Sequence, residues 1–114
     1  MKKSMKLDLN DIGGETIKDN ETYLLKDNKF LNNLVLSSTE LKPHQQTTGH
    51  MHKGQEEVYF FVSGKGFITV DAELYDVEAG TVVLIPDGSF HRVYNDTDEP
   101  LYFVCVFDGK RTHK

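Results

Sequence analysis

The chain has 114 residues, which is enough for one compact core and too few for two independent domains. Its 13 Lys and Arg residues against 18 Asp and Glu residues give a formal net charge of −5, and the lysines are scattered, so neither nucleic acid nor an anionic membrane is an expected partner. No apolar leader follows Lys2, Lys3 and Lys6, and no run approaches the roughly 18 apolar residues of a membrane span, so we expect a cytoplasmic protein.

The order of elements along the chain predicts an all-β fold. Residues 1–20 are polar and weakly periodic, and they predict an N-terminal arm or a loose first strand. From Thr22 onward, short β-branched and aromatic runs alternate with turn residues, which is typical of a sandwich or barrel. The predicted strands cover residues 22–25, 31–41, 48–52, 56–62, 66–70, 73–77, 81–85, 90–94 and 101–107. We therefore predict a single domain over residues 21–110, followed by a tail at residues 111–114.

The only cysteine, Cys105, falls inside the last apolar run. A single cysteine excludes an intrachain disulfide. No neighbouring charge marks an activated thiolate, so we expect a buried core thiol rather than a nucleophile.

Three histidines and one glutamate have the residue types of a metal site. Residues two apart on a strand point to the same face, so His50 and His52 can direct both imidazoles to one point. Glu57 follows a short turn that could return a carboxylate beside the two rings. His91 lies 34 residues beyond Glu57, after a turn that places it at the start of a strand. Nitrogen and oxygen donors without a thiolate suit one divalent transition metal, without choosing among iron, manganese, nickel, cobalt, copper and zinc.

Two stretches around these residues resemble the motifs of the cupin family. The first reads His50-x-His52-x4-Glu57-x6-Gly64, and the second reads Gly80-x5-Pro86-x-Gly88-x2-His91-x3-Asn95. The regular succession of predicted strands and turns on either side extends the resemblance over residues 31–107. One position departs from the family pattern, because His44 stands where a glycine usually precedes the first histidine by six residues.

The resemblance implies a double-stranded β-helix, that is, a jelly roll of two antiparallel sheets with a pocket at one end. It also implies that His50, His52, Glu57 and His91 bind one divalent metal and leave coordination positions open for water or substrate. The spacing within the first motif assigns the carboxylate ligand to Glu57 and leaves Glu56 to solvent. The alternative is a set of core residues that hold no metal, but burying three imidazoles and a carboxylate without partners would be costly.

Strand alternation predicts which side chains join Glu57 in the pocket. Tyr59 and Phe61 share its parity and are candidate substrate-binding residues, with the Tyr59 hydroxyl either donating to a substrate oxygen or simply packed. The outward-facing residues of the same strand are also apolar, namely Val58, Phe60 and Val62. An apolar outer face needs a cover, which is either the N-terminal arm or a second subunit, and we favour a homodimer.

Other polar residues near the motifs receive weaker assignments. Gln46 shares the parity of the first two histidines and is a candidate substrate-binding residue at the pocket rim. Arg92 has the opposite parity to the last histidine and is expected to be a surface cation. His44, next to a proline, and His113, in the tail, are not expected to be ligands.

Fold and metal site do not name a reaction, so three functions stay open. The first, which we favour, is a metalloenzyme with dioxygenase-like chemistry on a small substrate that chelates the metal. The second is a non-redox isomerase, epimerase or lyase acting on a sugar or carboxylate, in which the metal polarises an oxygen. The third is a module that binds a small molecule without turnover. No Arg or Lys cluster with inward parity lies near the motifs, which counts against a sugar phosphate.

Overall fold

The protein is built from nine β-strands in a computed structural model that describes residues 2–51 and 53–109. The described ranges contain no helix, and therefore none that is long and apolar enough to cross a membrane. The strands are β1 (Glu15–Asp19), β2 (Tyr23–Asn28), β3 (Leu34–Leu41), β4 (Glu57–Ser63), β5 (Lys65–Val70), β6 (Glu73–Glu78), β7 (Val82–Ile85), β8 (His91–Tyr94) and β9 (Leu101–Asp108).

The strands form two antiparallel sheets that enclose one core. The larger sheet has the order β1-β2-β3-β9-β4-β7 and the smaller has the order β6-β5-β8. Both sheets supply the buried side chains between them, which are Leu41, Tyr59, Phe61, Ile68, Val70, Val77, Val83, Ile85, Val93, Leu101, Phe103 and Cys105. This architecture confirms the predicted all-β jelly roll. Cys105 lies in the core, as expected.

Strand β4 shows the alternation that the sequence predicts. Glu57, Tyr59 and Phe61 are buried, whereas Phe60 is exposed and its neighbours of the same parity are half-buried. Glu56, one residue before the strand, is also exposed. One face of the strand therefore meets the core and carries the candidate carboxylate inward.

The predicted strand over residues 48–52 is wrong for its described part. Residues 46–50 form only two isolated bridges with β8, between Gln46 and Tyr94 and between His50 and His91. Between the two bridges, this segment advances by four residues, from 46 to 50, while β8 advances by only three, from 94 to 91. One extra residue of this kind interrupts the ladder and reverses the parity beyond it.

A side-chain hydrogen bond accompanies the interruption. Thr47 N–H donates to the Val93 carbonyl (2.9 Å), but the Val93 N–H donates to Thr47 Oγ1 (3.0 Å) rather than to a backbone carbonyl. The threonine hydroxyl thus satisfies a buried donor at the point where the two backbones fall out of register.

The N-terminal residues run across the outer side of the larger sheet. Asn28 Nδ2 donates to the Ile12 carbonyl (2.7 Å), and the Tyr102 hydroxyl donates to the Leu9 carbonyl (2.9 Å). Strand β1 then pairs with β2 as part of this sheet. The predicted domain boundary after residue 20 falls in the turn between these two strands and stays a prediction, and the predicted tail lies outside the described residues.

Asn95, the last residue of the second motif, ties the connection between β8 and β9 to the end of β3. Its amide nitrogen lies 3.1 Å from the Leu41 carbonyl, 3.2 Å from that of Lys42 and 2.7 Å from that of Glu99. Its amide oxygen accepts from the Thr97 N–H (3.0 Å). The side chain is 2% exposed and its bond to the Leu41 carbonyl is buried, so that carbonyl depends on the amide rather than on water.

Candidate metal centre

Strands from both sheets bring candidate ligands to one point in the interior. His91 is the first residue of β8, and two backbone hydrogen bonds hold His50 beside it, from His50 N to His91 O (3.2 Å) and from His91 N to His50 O (3.0 Å). Glu57 is the first residue of β4 and faces them from the larger sheet. The centre therefore depends on how the two sheets are closed against each other.

The three side chains are close enough to share an ion. Among the described residues, His50, Glu57 and His91 form a group whose ligand atoms all lie within 4.8 Å of one another. His91 Nε2 lies 3.1 Å from Glu57 Oε2, and the two imidazole rings meet edge to face with centroids 4.6 Å apart. Bonds of about 2.0–2.2 Å to a metal place two ligand atoms up to about 4.4 Å apart, so small side-chain shifts would complete the set.

The hydrogen bonds around the rings prepare both histidines for a metal. His91 Nδ1 lies 3.2 Å from the Ser89 carbonyl, and His50 Nδ1 lies 3.1 Å from the Thr48 carbonyl. A carbonyl accepts only from an N–H, so in each neutral ring the lone pair lies on Nε2. His91 Nε2 is buried 3.1 Å from Glu57 Oε2, but this contact does not have the geometry of a hydrogen bond. A lone pair next to a carboxylate suits a cation between them, so these residues fit a divalent metal.

Two residues that follow His52 in the chain, Gly54 and Gln55, are hydrogen-bonded to neighbouring segments. Gly54 N–H donates to Asp87 Oδ1 (2.7 Å), and Gln55 Nε2 donates to the Asp108 carbonyl (3.2 Å). His52 itself lies outside the described residues, so its place as the fourth ligand stays a prediction. His44 lies elsewhere on the surface, where its Nε2 is 2.6 Å from Asp98 Oδ1. His113 is also outside the described residues.

A cavity of about 400 Å³ opens beside the candidate ligands. Its lining includes His50 and Glu57, and the wall carries hydroxyl, amide and aromatic side chains together. The remaining lining residues are Lys18, Tyr23, Leu25, Asp27, Ser37, Thr39, Thr47, Thr48, Gln55, Tyr59, Phe103, Cys105 and Phe107. This volume suits a small molecule.

Of the three predicted substrate-binding residues, the structure brings only Tyr59 to the cavity wall. Phe61 is 2% exposed and packs against Phe103 in the core, with ring centroids 5.1 Å apart. Gln46 lines a neighbouring depression instead, because the extra residue between it and His50 reverses the parity on which its assignment relied.

Burial controls the protonation of two cavity groups. It raises the pKa of the Tyr59 phenol well above its ordinary value, with smaller contributions from Cys105 and Glu57. It likewise raises the pKa of the Cys105 thiol, to which the Glu57 and Asp27 charges add. Both groups are therefore protonated at neutral pH, and Tyr59 presents an O–H donor to the cavity.

The Cupin_2 family model, which describes the cupin domain, matches residues 37–107. The chain is a cupin. The match begins within β3 and ends within β9, so it includes all three candidate ligands and both motifs. The resemblance inferred from the motifs is thereby confirmed.

Three known proteins resemble this cupin. It is 27% identical to an uncharacterized protein of Methanocaldococcus jannaschii over 81% of this chain and 82% of that protein. It is 30% identical to the glucose-6-phosphate isomerase of Pyrococcus furiosus over 82% of this chain, but it spans only 56% of the isomerase. A structure of a Bacillus subtilis oxalate decarboxylase mutant superposes with a TM-score of 0.75 and 25% identity, over 87% of this chain and 29% of the decarboxylase.

The cavity of this cupin also contains residues that the sequence reading missed. Thr47 and Thr48 lie three and two residues before His50, so their place in the sequence was an available signal. No sequence signal marks Lys18 and Asp27, because only the pairing of β1 with β2 and of β2 with β3 brings them to the cavity wall.

Proposed function

We propose that this cupin is a metal-dependent enzyme that isomerises or cleaves a small oxygenated molecule, such as a sugar derivative or a carboxylate. The observation that carries the proposal is the convergence of His50, Glu57 and His91 on one point beside a cavity of about 400 Å³. In our proposal these three residues and His52 hold one divalent transition metal, whose identity the donor set leaves open.

The chain's own side chains have separate tasks in this proposal. The Ser89 and Thr48 carbonyls orient the rings of His91 and His50 by accepting from Nδ1. A bound divalent metal supplies Lewis-acid polarisation of a substrate oxygen. Tyr59, held protonated by burial, donates a hydrogen bond to a substrate oxygen within the cavity.

The composition of the wall favours an oxygenated substrate. Ser37, Thr39, Thr47 and Thr48 contribute hydroxyls that both donate and accept, and Gln55 contributes an amide. Polar groups of this kind fix the orientation of a hydroxylated or carboxylated molecule in a pocket.

The relatives add support for isomerase or lyase chemistry. Glucose-6-phosphate isomerases are the named enzymes among the sequence relatives reported above, and oxalate decarboxylase is the named structural relative. The cupin spans only part of each, so their reactions come to this chain as proposals. The dioxygenase-like reaction and the non-catalytic binder stay as alternatives, and the experiments below separate them.

Metal content is the first test. We expect protein purified without added metal to carry about one transition-metal ion per chain, with the content falling at least about tenfold in His50→Ala and His91→Ala. His44→Asn is the control, because it removes an imidazole outside the cavity, and asparagine tolerates the φ of 60° at that position. A metal-free wild type, or equal metal content in all four proteins, would exclude the proposed centre.

Turnover is the second test. The metal-loaded protein is incubated with sugar phosphates, free sugars and small mono- and dicarboxylates while products and dissolved oxygen are followed. We expect isomerised or cleaved product without oxygen uptake, and loss of product in His91→Ala. Substrate-dependent oxygen uptake would instead support the dioxygenase reading, and a ligand bound unchanged would support the binder.

We also propose that the cupin forms a homodimer through the outer face of β4 and β7. Phe60, Val82 and Leu84 are 38%, 52% and 70% exposed, and Phe60 lies directly opposite Val82 in the register. The N-terminal arm contacts Tyr102 of β9 and the Asn28 end of β2, which leaves this apolar patch uncovered. Strand β7 is also the edge of its sheet, where a second chain can pair. A second copy is therefore the occupant we favour.

A further inference from the structure

A polar depression of about 310 Å³ adjoins the candidate metal cavity. The two spaces share Lys18, Tyr23, Thr47 and Thr48 in their linings, so they lie side by side. The depression is also lined by Arg92 of β8, which does not line the cavity and for which strand alternation predicts a surface position. Two cations that are 74 residues apart in the chain thus line one space beside the centre.

No carboxylate in the described part of the chain neutralises either cation. Within residues 2–51 and 53–109, Lys18 and Arg92 form no ion pair with a carboxylate. The Arg92 Nε is buried without a hydrogen-bond partner, while its guanidinium lies over the Phe90 ring at 5.8 Å. A buried guanidinium N–H without an acceptor is costly, and an oxoanion is the partner that its planar donors match best.

Neutral hydrogen-bond donors complete the lining. Thr22, Thr47 and Thr48 bring hydroxyls, and Asn20 and Gln46 bring amides. No carboxylate lines the depression in the described part of the chain, although the net charge of the whole chain is −5. The adjoining cavity, in contrast, is lined by Asp27 and Glu57. An anionic group is therefore more stable in the depression than next to the cavity wall, where these carboxylates would repel it.

We propose that the depression between Lys18 and Arg92 binds the oxoanion end, a phosphate or a carboxylate, of the molecule whose other oxygens reach the metal centre. This inference rests on the proposed function and narrows its substrate class to anionic molecules long enough to span both spaces. Lys18 and Arg92 act in it as specificity-determining residues that select a charged over a neutral substrate.

The test is a titration of the full chain with inorganic phosphate and, separately, with acetate, followed by amide NMR shifts of Thr47 and Thr48. We expect saturable binding whose Kd rises about tenfold in Arg92→Gln and in Lys18→Gln, because each variant loses a charge-assisted contact. Lys65→Gln is the control, since it removes the same charge from an exposed position on β5. Tighter binding of phosphate would identify a phosphorylated substrate, and tighter binding of acetate a carboxylate.

Phosphate could also coordinate a metal, so His91→Ala provides a second background. In our proposal, phosphate still changes the amide NMR shifts of Thr47 and Thr48 in His91→Ala. Arg92→Gln retains the metal content of the wild type. Equal affinities in wild type, Arg92→Gln and Lys18→Gln, or no saturable binding in wild type, would overturn the anion subsite. If the wild type holds no metal, the proposed function is wrong. The phosphate and acetate titrations then still test whether the depression binds an oxoanion.

Discussion

Replacing Gly64, the last residue of the first motif, by alanine should destabilise the protein for two separable reasons. Gly64 has a φ of +87°, and a side chain in this left-handed region costs about 1–2 kcal/mol. An added Cβ would also lie 2.3 Å from the Pro100 carbonyl oxygen and 2.9 Å from the Leu101 Cα, both backbone atoms. Leu101 is fully buried, so relief requires β9 to shift, and such overpacking costs about 1–3 kcal/mol. The expected total is about 2–5 kcal/mol.

Gly80→Ala separates the two contributions. Gly80 has a similar φ of +96°, but nothing lies within 4 Å of an added Cβ, so only the backbone strain of about 1–2 kcal/mol applies. The chain has no tryptophan, so urea unfolding is followed by far-ultraviolet circular dichroism. We expect Gly64→Ala to lose about 1–3 kcal/mol more free energy of unfolding than Gly80→Ala. Equal losses would refute the argument that close approach of β9, rather than the turn conformation, requires glycine at residue 64.

Three further predictions concern the interior and the outer face. Asn95→Ala should lower the free energy of unfolding by about 2–4 kcal/mol, because it leaves the buried Leu41 carbonyl and the half-buried carbonyls of Lys42 and Glu99 without their donor. Asn33→Ala, at an exposed position, serves as the control, and a loss no larger than that of the control would contradict this. Cys105 is 8% exposed, so a thiol reagent should modify it about 100-fold more slowly in the native protein than in the urea-unfolded chain; comparable rates would mean that the reagent reaches the thiol through the cavity or through opening of the core. Leu84→Lys should convert a homodimer to monomer in light scattering, whereas Leu74→Lys, 60% exposed on the other sheet, should not. A monomeric wild type, or a dimer that survives Leu84→Lys, would count against the proposed interface.

Much of the candidate centre could be predicted because strand geometry is local. Two-residue periodicity places Glu57 and Tyr59 inside and Phe60 outside, and the structure has the same facing. The same periodicity fails for Gln46, because an extra residue opposite β8 is not visible as a change in composition. Parity arguments hold within one regular strand and lose their meaning across a bulge.

The proposed anion subsite could not be predicted from local patterns. Strand alternation predicts a surface cation at Arg92, and Lys18 belongs to a segment for which the sequence predicts an arm or a loose strand. Their proximity arises because β1 pairs with β2 while residues 46–50 lie along β8, and neither contact is encoded by spacing. Lys18 and Arg92 therefore line the same space only when both contacts have formed.

By itself, the sequence determined the all-β class, the cupin motifs and the residue types of a nitrogen and oxygen metal centre, because turn chemistry, strand alternation and ligand chemistry are properties of short segments. Only the tertiary structure decided that His50, Glu57 and His91 meet, that Thr47 and Thr48 line the cavity, and that Lys18 faces the same space as Arg92. These decisions come from the closure of two sheets, in which long-range pairings set distances that no local pattern specifies.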